Sequence, residues 1–518
     1  MPAPSSPHPW WKSAVVYQIY PRSFCDTDGN GVGDLPGVIA RLDHLAWLGV
    51  DALWLSPFFR SPMADFGYDV ADYCSVDPLF GTLADFDRLT DEAHGRGMKV
   101  VIDWVPNHSS DQHPWFVESR HDRDAPKRDW YIWRDGGGPD QRPNNWKAAF
   151  GGDAWTWDDK TAQWYLHLFL PEQPDLNWAN PDLVAAMHET LRFWLDRGVD
   201  GFRMDVIHGI GKDPALPDLP PEQAEMPVSA VNDNPVTHEY IRDLRRLLDG
   251  YPGDRMMVGE VFLLSTAKVA EYYGAGDELH LSFNFPPLFA PWDAGAWRTR
   301  IDRVIELLDP IDAWPTWVLS NHDNPRHRTR YGTEARARAA AILLLGLRGT
   351  PFLYAGEELG LEDAVIPADR VVDPGGRDGC RAPIPWDGTP GHGWAGGEDP
   401  WLPWPPHADV TNAAAEVEDP GSMLHLYRRI LAARRGSEAL RTGSFRWLAA
   451  PAGALAWERG SGDSGDDDRR VVIVNFTEDQ ADVPVAGTWL VEVEAEGRGE
   501  GQPYAGRVSA AAALILRP

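Results

Sequence analysis

Cysteine is scarce in this chain. Cys25, Cys74 and Cys380 are the whole set among 518 residues. An odd number of widely spaced thiols builds no disulfide framework, and it predicts a reducing compartment. No apolar run approaches the roughly eighteen residues that a membrane-crossing helix needs, so no span is predicted. Residues 1–11 are rich in Pro and Ser without the apolar stretch of a secretory leader, and the expected location is therefore cytoplasmic. Basic residues are outnumbered, 48 against 78 acidic ones, for a formal net charge of −30. Such a surface repels phosphate backbones and anionic lipid, which argues against nucleic-acid and membrane partners. A neutral substrate is compatible with it, and the charge serves solubility.

What the chain does have is aromatic surface and a regular alternation of elements. Its 25 Trp, 14 Tyr and 18 Phe can stack on sugar rings or fill a large core. Eight short runs rich in β-branched or aromatic residues recur, at 14–20, 52–56, 99–105, 201–206, 256–261, 278–283, 316–320 and 351–354. Amphipathic stretches such as 35–48, 83–96, 181–197 and 239–248 lie between them. Strand and helix in alternation predict an α/β fold with a parallel sheet, and eight strands predict closure into a (β/α)₈ TIM barrel. The gap between the third and fourth runs is too long for a loop and predicts an inserted subdomain, 106–178. The barrel then comprises 1–105 and 179–436, with a second insertion at 360–411 and a last helix at 423–435. Beyond 436 the runs 470–476, 487–493 and 511–516 have no helix between them, which predicts a small antiparallel β domain, 437–518, with a solvated hairpin loop at 461–469.

Three carboxylates sit where apolar strands run out. Asp205 ends Gly201-Phe202-Arg203-Met204-Asp205, Glu260 ends Met256-Met257-Val258-Gly259-Glu260, and Asp323 follows Ser320-Asn321-His322. A charge at the carboxyl end of a buried strand does nothing for packing, and in a parallel barrel that end carries the chemistry. Two carboxyl groups flanking one bond are the equipment for cleaving a glycoside. Asp205 is the candidate nucleophile, with Arg203 two residues earlier on the same side of the strand and expected to lower its pKa. Glu260, among Val258, Gly259, Val261 and Phe262, is the candidate general acid/base, with a pKa expected to be raised by apolar neighbours. Asp323, beside His322, is expected to bind hydroxyls and stabilise positive charge on the ring.

These segments resemble the α-amylase superfamily of glycoside hydrolases, in particular its α-glucosidase and oligo-1,6-glucosidase branch. The resemblance rests on Asp103-Trp104-Val105-Pro106-Asn107-His108, Gly201 to Asp205, Val258-Gly259-Glu260, Asn321-His322-Asp323 and Gln173-Pro174-Asp175-Leu176-Asn177. It implies a retaining mechanism on Asp205, Glu260 and Asp323. It further implies sugar contacts: Tyr68 as a stacking ring and Asp69 as a clamp, both in Phe66-Gly67-Tyr68-Asp69. His108, Arg203, His322 and Arg381 would be hydroxyl-binding groups and Phe169 a pocket wall. Arg377, four residues before Arg381, is an alternative to it. Asp103, Glu357 and Glu358 resemble supporting rather than catalytic positions. Ala355 departs from the Gln more usual before Gly-Glu-Glu.

Asp26-Thr27-Asp28-Gly29-Asn30-Gly31-Val32-Gly33-Asp34 places oxygen ligands at alternate positions, as calcium loops do, although Gly37 stands where a bidentate Glu is usual. The resemblance implies a structural Ca²⁺ or Mg²⁺ on Asp26, Asp28, Asn30, Asp34 and the Val32 carbonyl, with no organic cofactor. Val206, after the nucleophile, goes with α-1,6 linkages in related enzymes. The expected function is an exo-acting α-glucosidase on short oligosaccharides or glucosides, as a monomer or homodimer. The alternatives are a transglucosidase or a trehalose or sucrose isomerase using the same site, and a non-catalytic relative, which would be expected to lose the carboxylates this chain keeps.

Overall fold

Short, wholly buried apolar segments pair most readily in parallel, where helices cover both sheet faces. The computed structural model describes residues 8–223, 232–396, 399–460 and 468–518, and its central sheet follows this rule. The strands are β1 Val16–Ile19, β2 Ala52–Leu55, β3 Lys99–Trp104, β4 Gly201–Met204, β5 Met256–Gly259, β6 Leu281–Ser282, β7 Thr316–Val318 and β8 Thr350–Tyr354. Hydrogen bonding runs in the order β6, β5, β4, β3, β2, β1, β8, β7, with every pair parallel. Between β6 and β7 the tie is a side chain: the Thr316 hydroxyl donates to the Ser282 carbonyl at 2.7 Å. The result is a near-closed (β/α)₈ barrel. Val16, Trp54, Val101, Met256, Val258 and Phe352 belong to one apolar cluster, while neighbours such as Tyr17, Leu53, Phe202 and Met257 belong to the layer shared with the helices.

Seven of the eight strands end before the expected runs do, because the last residues of those runs have turned into the loops that carry polar groups, while β8 ends with its run at Tyr354. The helix expected at 35–48 is two, Leu35–Ala40 and Leu42–Leu48. Arg41 leaves helical geometry between them and lays its guanidinium over the Trp386 ring, 4.4 Å from its centroid. The stretch after β3 contains a three-stranded antiparallel sheet, Trp133–Arg134, Gln163–Leu166 and Trp155–Asp158, with Gln163–Leu166 in the middle. It has its own small core of Ile132, Trp146, Trp155, Trp164 and Leu168, and Leu216 from the segment after β4 completes it.

The carboxyl-terminal part is a five-stranded antiparallel sheet in the order Ser444–Trp447, Ala454–Gly460, Arg469–Asn475, Ala513–Arg517, Leu490–Glu494. The first two strands were not expected: Ala454-Leu455-Ala456-Trp457 lacks the β-branched residues that signal a strand. Residues 461–467 of the expected hairpin loop lie outside the described residues. This sheet packs on helix Glu334–Gly346, whose residues from Ala337 to Gly346 are all buried because the barrel holds its other side.

Glu357 and Glu358 follow β8 and are buried. Tyr17 donates its hydroxyl to Glu358 Oε1 at 2.7 Å, and the Gly356 N–H donates to Oε2 at 2.9 Å. Burial outweighs both bonds and pushes the Glu358 carboxyl up to about 7. Burial likewise takes Glu416 up to about 8. A carboxyl whose folded value lies above its unfolded value stabilises the fold at low pH, and that contribution is lost as pH rises through the folded value. Thermal stability should therefore fall between pH 5 and pH 8, each such group contributing about 1.4 kcal/mol per pH unit across its window. Glu358→Gln should flatten the slope of Tm against pH; an unchanged slope would show that Glu358 ionises normally.

Candidate active site

Two of the three carboxylates sit at the barrel rim because the parallel ladder runs one residue past its strands. The Asp205 N–H donates to the Trp104 carbonyl at 2.9 Å, and the Glu260 N–H donates to the Met204 carbonyl at 2.9 Å. Arg203, one residue inside the rim of β4, reaches up between them. Its Nη1 lies 2.5 Å from Asp205 Oδ1 and 2.9 Å from Asp103 Oδ1, and its Nη2 lies 2.8 Å from Glu260 Oε2. One guanidinium thus holds three carboxylates from β3, β4 and the end of β5.

The charges do not balance, and the pKa values follow. Burial holds the Asp205 carboxyl well above the ordinary range; Arg203 opposes this, while Glu260 and Asp103 reinforce it. The expectation that Arg203 would keep Asp205 low is corrected: Arg203 does pull the value down, but burial outweighs it. Burial also pushes Asp103 up to about 7, against the pull of Arg203. The apolar sleeve expected around Glu260 is replaced by polar contacts. Its Oε2 meets Arg203 and accepts the Val206 N–H at 3.0 Å. Val206 itself has a left-handed backbone, φ 44° and ψ 35°, a strained state for a β-branched residue. Gly259 leaves the close approach open behind Glu260: a Cβ there would meet Leu279 Cδ1 at 2.4 Å.

Asp323 lies in the turn after β7. Burial would raise its carboxyl, but His322, Arg377 and Arg381 together hold it well below the usual carboxylate range. Arg377 Nη1 is 3.1 Å and Arg381 Nη2 3.0 Å from Asp323 Oδ1, and His322 Nε2 is 3.3 Å from Oδ2. Burial keeps His322 neutral, with a pKa of about 3. Its Nδ1 is 2.7 Å from Gln18 Nε2, and its Nε2 is 2.5 Å from the Tyr68 hydroxyl, which donates to Asp103 Oδ2 at 3.2 Å. The Tyr68 and His322 rings stack at 5.5 Å.

A cavity of about 250 Å³ opens over these groups, bordered by Asp205, Glu260, Asp323, Tyr68, His108, Val206, Phe150 and Phe169. His108 is buried, with a pKa lowered to about 4, and its Nε2 is 3.1 Å from Gln173 Nε2. Arg203, His322 and Arg381 lie behind the cavity wall, each in contact with a carboxylate that borders it. Arg377 takes the wall position expected of Arg381, which is turned back to donate to the His322 carbonyl at 2.8 Å. Asp69 does not reach the cavity: its carboxylate accepts from Ser61 Oγ and the N–H groups of Ala64 and Asp65, closing its own loop. The acid that does border the cavity is Asp65, held by Arg377 Nη2 at 2.7 Å and Gln173 Nε2 at 3.1 Å.

Sequence reasoning missed Asp65, Phe150, Phe285, Phe289 and Asn324, which also border the cavity. Asp65 shares a loop with Tyr68 and Asp69, so the motif is visible in the sequence although it does not show which of the two acids borders the cavity. Of the rim aromatics, Phe150 comes from an irregular segment and Phe285 and Phe289 from a single-turn helix and its end, too short for a periodic signal.

The calcium-type loop draws one oxygen each from Asp26, Asp28 and Asp34 to within 4.8 Å of one another. Asp26 accepts the N–H groups of Asp28, Gly29 and Gly31, and Asp34 accepts those of Thr27 and Gly37. The Asn30 amide donates to Asp28 Oδ2 at 3.1 Å, and its carbonyl oxygen accepts the Val32 N–H. Burial and neighbouring Asp26 raise Asp34, against the hydrogen bonds it accepts. Hard oxygen donors gathered this closely suit a divalent cation.

Comparison with known proteins agrees with this geometry. The alpha-amylase catalytic domain family matches residues 18–443. A probable alpha-glucosidase of Rhizobium meliloti is 43% identical over 489 residues, 88% of this chain and 87% of that protein. An oligo-1,6-glucosidase of Parageobacillus thermoglucosidasius is 39% identical, over 84% of this chain and 85% of that protein. Among solved structures, the alpha-glucosyl transfer enzyme XgtA is 41% identical with a TM-score of 0.90, covering 99% of this chain and all of that one. The trehalulose synthase MutB A258V mutant, 36% identical with a TM-score of 0.92, covers the same shares. The chain belongs to the alpha-amylase family. It is a glycoside hydrolase of the α-glucosidase and oligo-1,6-glucosidase type.

The two acids of the Asp65–Asp69 loop should separate in kinetics. Asp65→Asn should raise KM or lower kcat/KM at least about tenfold, roughly 1.4 kcal/mol, in a folded protein. Asp69→Asn should instead lower Tm with a smaller kinetic effect. The reverse pattern would return the clamp to Asp69.

Proposed function

We propose that this enzyme releases glucose from the non-reducing end of short α-linked oligosaccharides or glucosides with retention of configuration. The observation that carries this reading is the pairing of Asp205 and Glu260 on one guanidinium at the mouth of one cavity. A shared fork fits the short carboxyl separation of retaining enzymes, about 5–5.5 Å, better than the roughly 6.5–9.5 Å of inverting ones.

In the first step an Asp205 carboxylate oxygen forms a bond to the anomeric carbon as the glycosidic bond breaks. Glu260 gives its proton to the departing oxygen. In the second step Glu260 takes a proton from water, whose oxygen displaces Asp205 and releases glucose. A substrate entering between the carboxylates would draw Glu260 away from Arg203 and the Val206 N–H, leaving Arg203 to favour ionised Asp205. Asp323, held ionised by Arg377 and Arg381, would bind hydroxyls and offset positive charge on the ring. Tyr68, His108, Phe169 and Asp65 would complete the glucose subsite.

Val206 borders the cavity beside the nucleophile and would narrow the acceptor side, which supports a preference for α-1,6 linkages. A second reading, transfer of glucose to another sugar, is supported by Phe262 and Phe289, rim aromatics 40% and 44% exposed, whose faces suit an acceptor ring. The Asp26–Asp34 loop would hold Ca²⁺ or Mg²⁺ through Asp26, Asp28, Asn30, Asp34 and the Val32 carbonyl, fixing the turn after β1. The three cysteines are unpaired, which supports a reducing, cytoplasmic setting. Among the described residues no helix is long and apolar enough to cross a membrane.

Proton NMR of isomaltose and maltose digests should show the α-anomer of glucose first, and Asp205→Asn should lower kcat by at least about 10³-fold. A β-anomer would overturn retention, and products longer than the substrate would favour transfer. Val206→Ala should raise the ratio of α-1,4 to α-1,6 activity; a constant ratio would leave Val206 a packing residue. Chelation should lower Tm, and Ca²⁺ should restore it. A chelator-insensitive Tm, also unmoved by Asp28→Asn, would remove the metal.

A further inference from the structure

Cations are the minority charge of this protein, yet four of them border one hollow at the opposite end of the barrel from the carboxylates. The hollow measures about 200 Å³, and its walls include Trp10, Asp51, Lys99, Arg434, Arg435 and Arg441. It opens where the first three strands begin: Asp51 directly precedes β2 and Lys99 is the first residue of β3. Asp51 is its one acidic wall residue. Asp51 Oδ2 is taken by the Val15 N–H at 2.9 Å, and its Oδ1 is 3.4 Å from Arg435.

The cations are incompletely neutralised. Lys99 Nζ meets Asp200 at 2.9 Å, and Arg441 Nη2 is 3.3 Å from Glu438. Arg435 Nη2 donates to the Gly49 carbonyl at 2.9 Å. Arg434 is only 2% exposed, and its hydrogen bonds go to the carbonyls of Leu345, Leu440 and Gly349. Its Nε and that of Arg441 are buried without an acceptor. Behind it Arg459, fully buried, also donates only to carbonyls, those of Ser444, Gly346 and Gly443. Burial lowers Arg434 to about 10, so it stays charged at neutral pH. Arg434, charged and hydrogen-bonded only to neutral carbonyls, leaves a positive field in the hollow. Arg435 and Arg441, 57% and 36% exposed, retain the freedom to turn their forks toward a ligand. Planar forks match phosphate oxygens bidentately.

We propose that this hollow binds a compact anion of the phosphate class, gripped by Arg435, Arg441 and Lys99 in the field of Arg434, with Trp10 as the wall for any attached ring. The site lies apart from the catalytic cavity and shares no residue with it. The competing explanation is local: Arg434 and Arg435 close the last turn of helix Met423–Arg435, where cations interact favourably with the helix end.

The test uses the whole protein with inorganic phosphate at ionic strength held constant with chloride. Calorimetry should show saturable one-site binding, and Tm should rise on the order of 2 °C at saturation. An Arg435→Gln/Arg441→Gln double variant should bind phosphate at least tenfold more weakly and lose the Tm rise, with glucoside hydrolysis unchanged. Should the double variant fail to fold, Arg441→Gln alone serves, with an expected loss of at least threefold. Absence of saturable binding would overturn the proposal. So would an equal Tm rise in wild type and variant, which marks a bulk salt effect. A parallel titration with glucose 6-phosphate separates the sources: tighter binding assigns the site to a sugar phosphate, equal or weaker binding to the free anion.

Discussion

The site depends on Arg203. Among the described residues its guanidinium is the only cation in contact with Asp103, Asp205 and Glu260. Three carboxylates cannot be gathered in a buried space without one. Breaking a buried ion pair by removing one partner typically costs about 3–5 kcal/mol, because the other charge is left uncompensated. Here three would be left. One guanidinium cannot offset three buried carboxylates, so Asp205 and Asp103 are pushed toward their protonated forms by burial and by their acidic neighbours.

A second charge cluster answers the first. Arg377 and Arg381 both bind Asp323, and both also bind Asp373. Asp323 is thereby kept ionised while Asp205 and Asp103 are pushed the other way. Environments that drive carboxyl pKa values apart are how one site supports distinct roles for chemically similar groups. The link between the clusters is neutral: the buried ring of His322 lies between Asp323 and the hydroxyl of Tyr68, which in turn reaches Asp103.

Much of the architecture was legible in the chain because barrel strands are buried on both faces and read as apolar runs. The eight runs, the helices between them and the carboxylates at strand ends all come from that one physical constraint. Legibility failed where local pattern no longer reports environment. Ala454–Gly460 is a strand whose alanines carry no β signal. Asp65 and Asp69 are indistinguishable by type, and only the path of the loop decides which one faces the cavity. Arg377 and Arg381 are one helical turn apart and were left as alternatives; the structure uses both, one as wall and one behind it. For Asp205, adjacency on a strand shows that Arg203 is near, but it does not show the depth of burial that outweighs that cation or the acids that share it.

Helix Glu334–Gly346 has a consequence for how the molecule comes apart. From Ala337 to Gly346 every residue but Arg338 is small or apolar, and the run is buried around its circumference because the barrel covers one flank and the carboxyl-terminal sheet the other. Neither layer can withdraw without leaving a greasy rod in water. The two parts of the chain are therefore mechanically one body, and the apparent accessory sheet serves as the missing neighbour of the helix between β7 and β8.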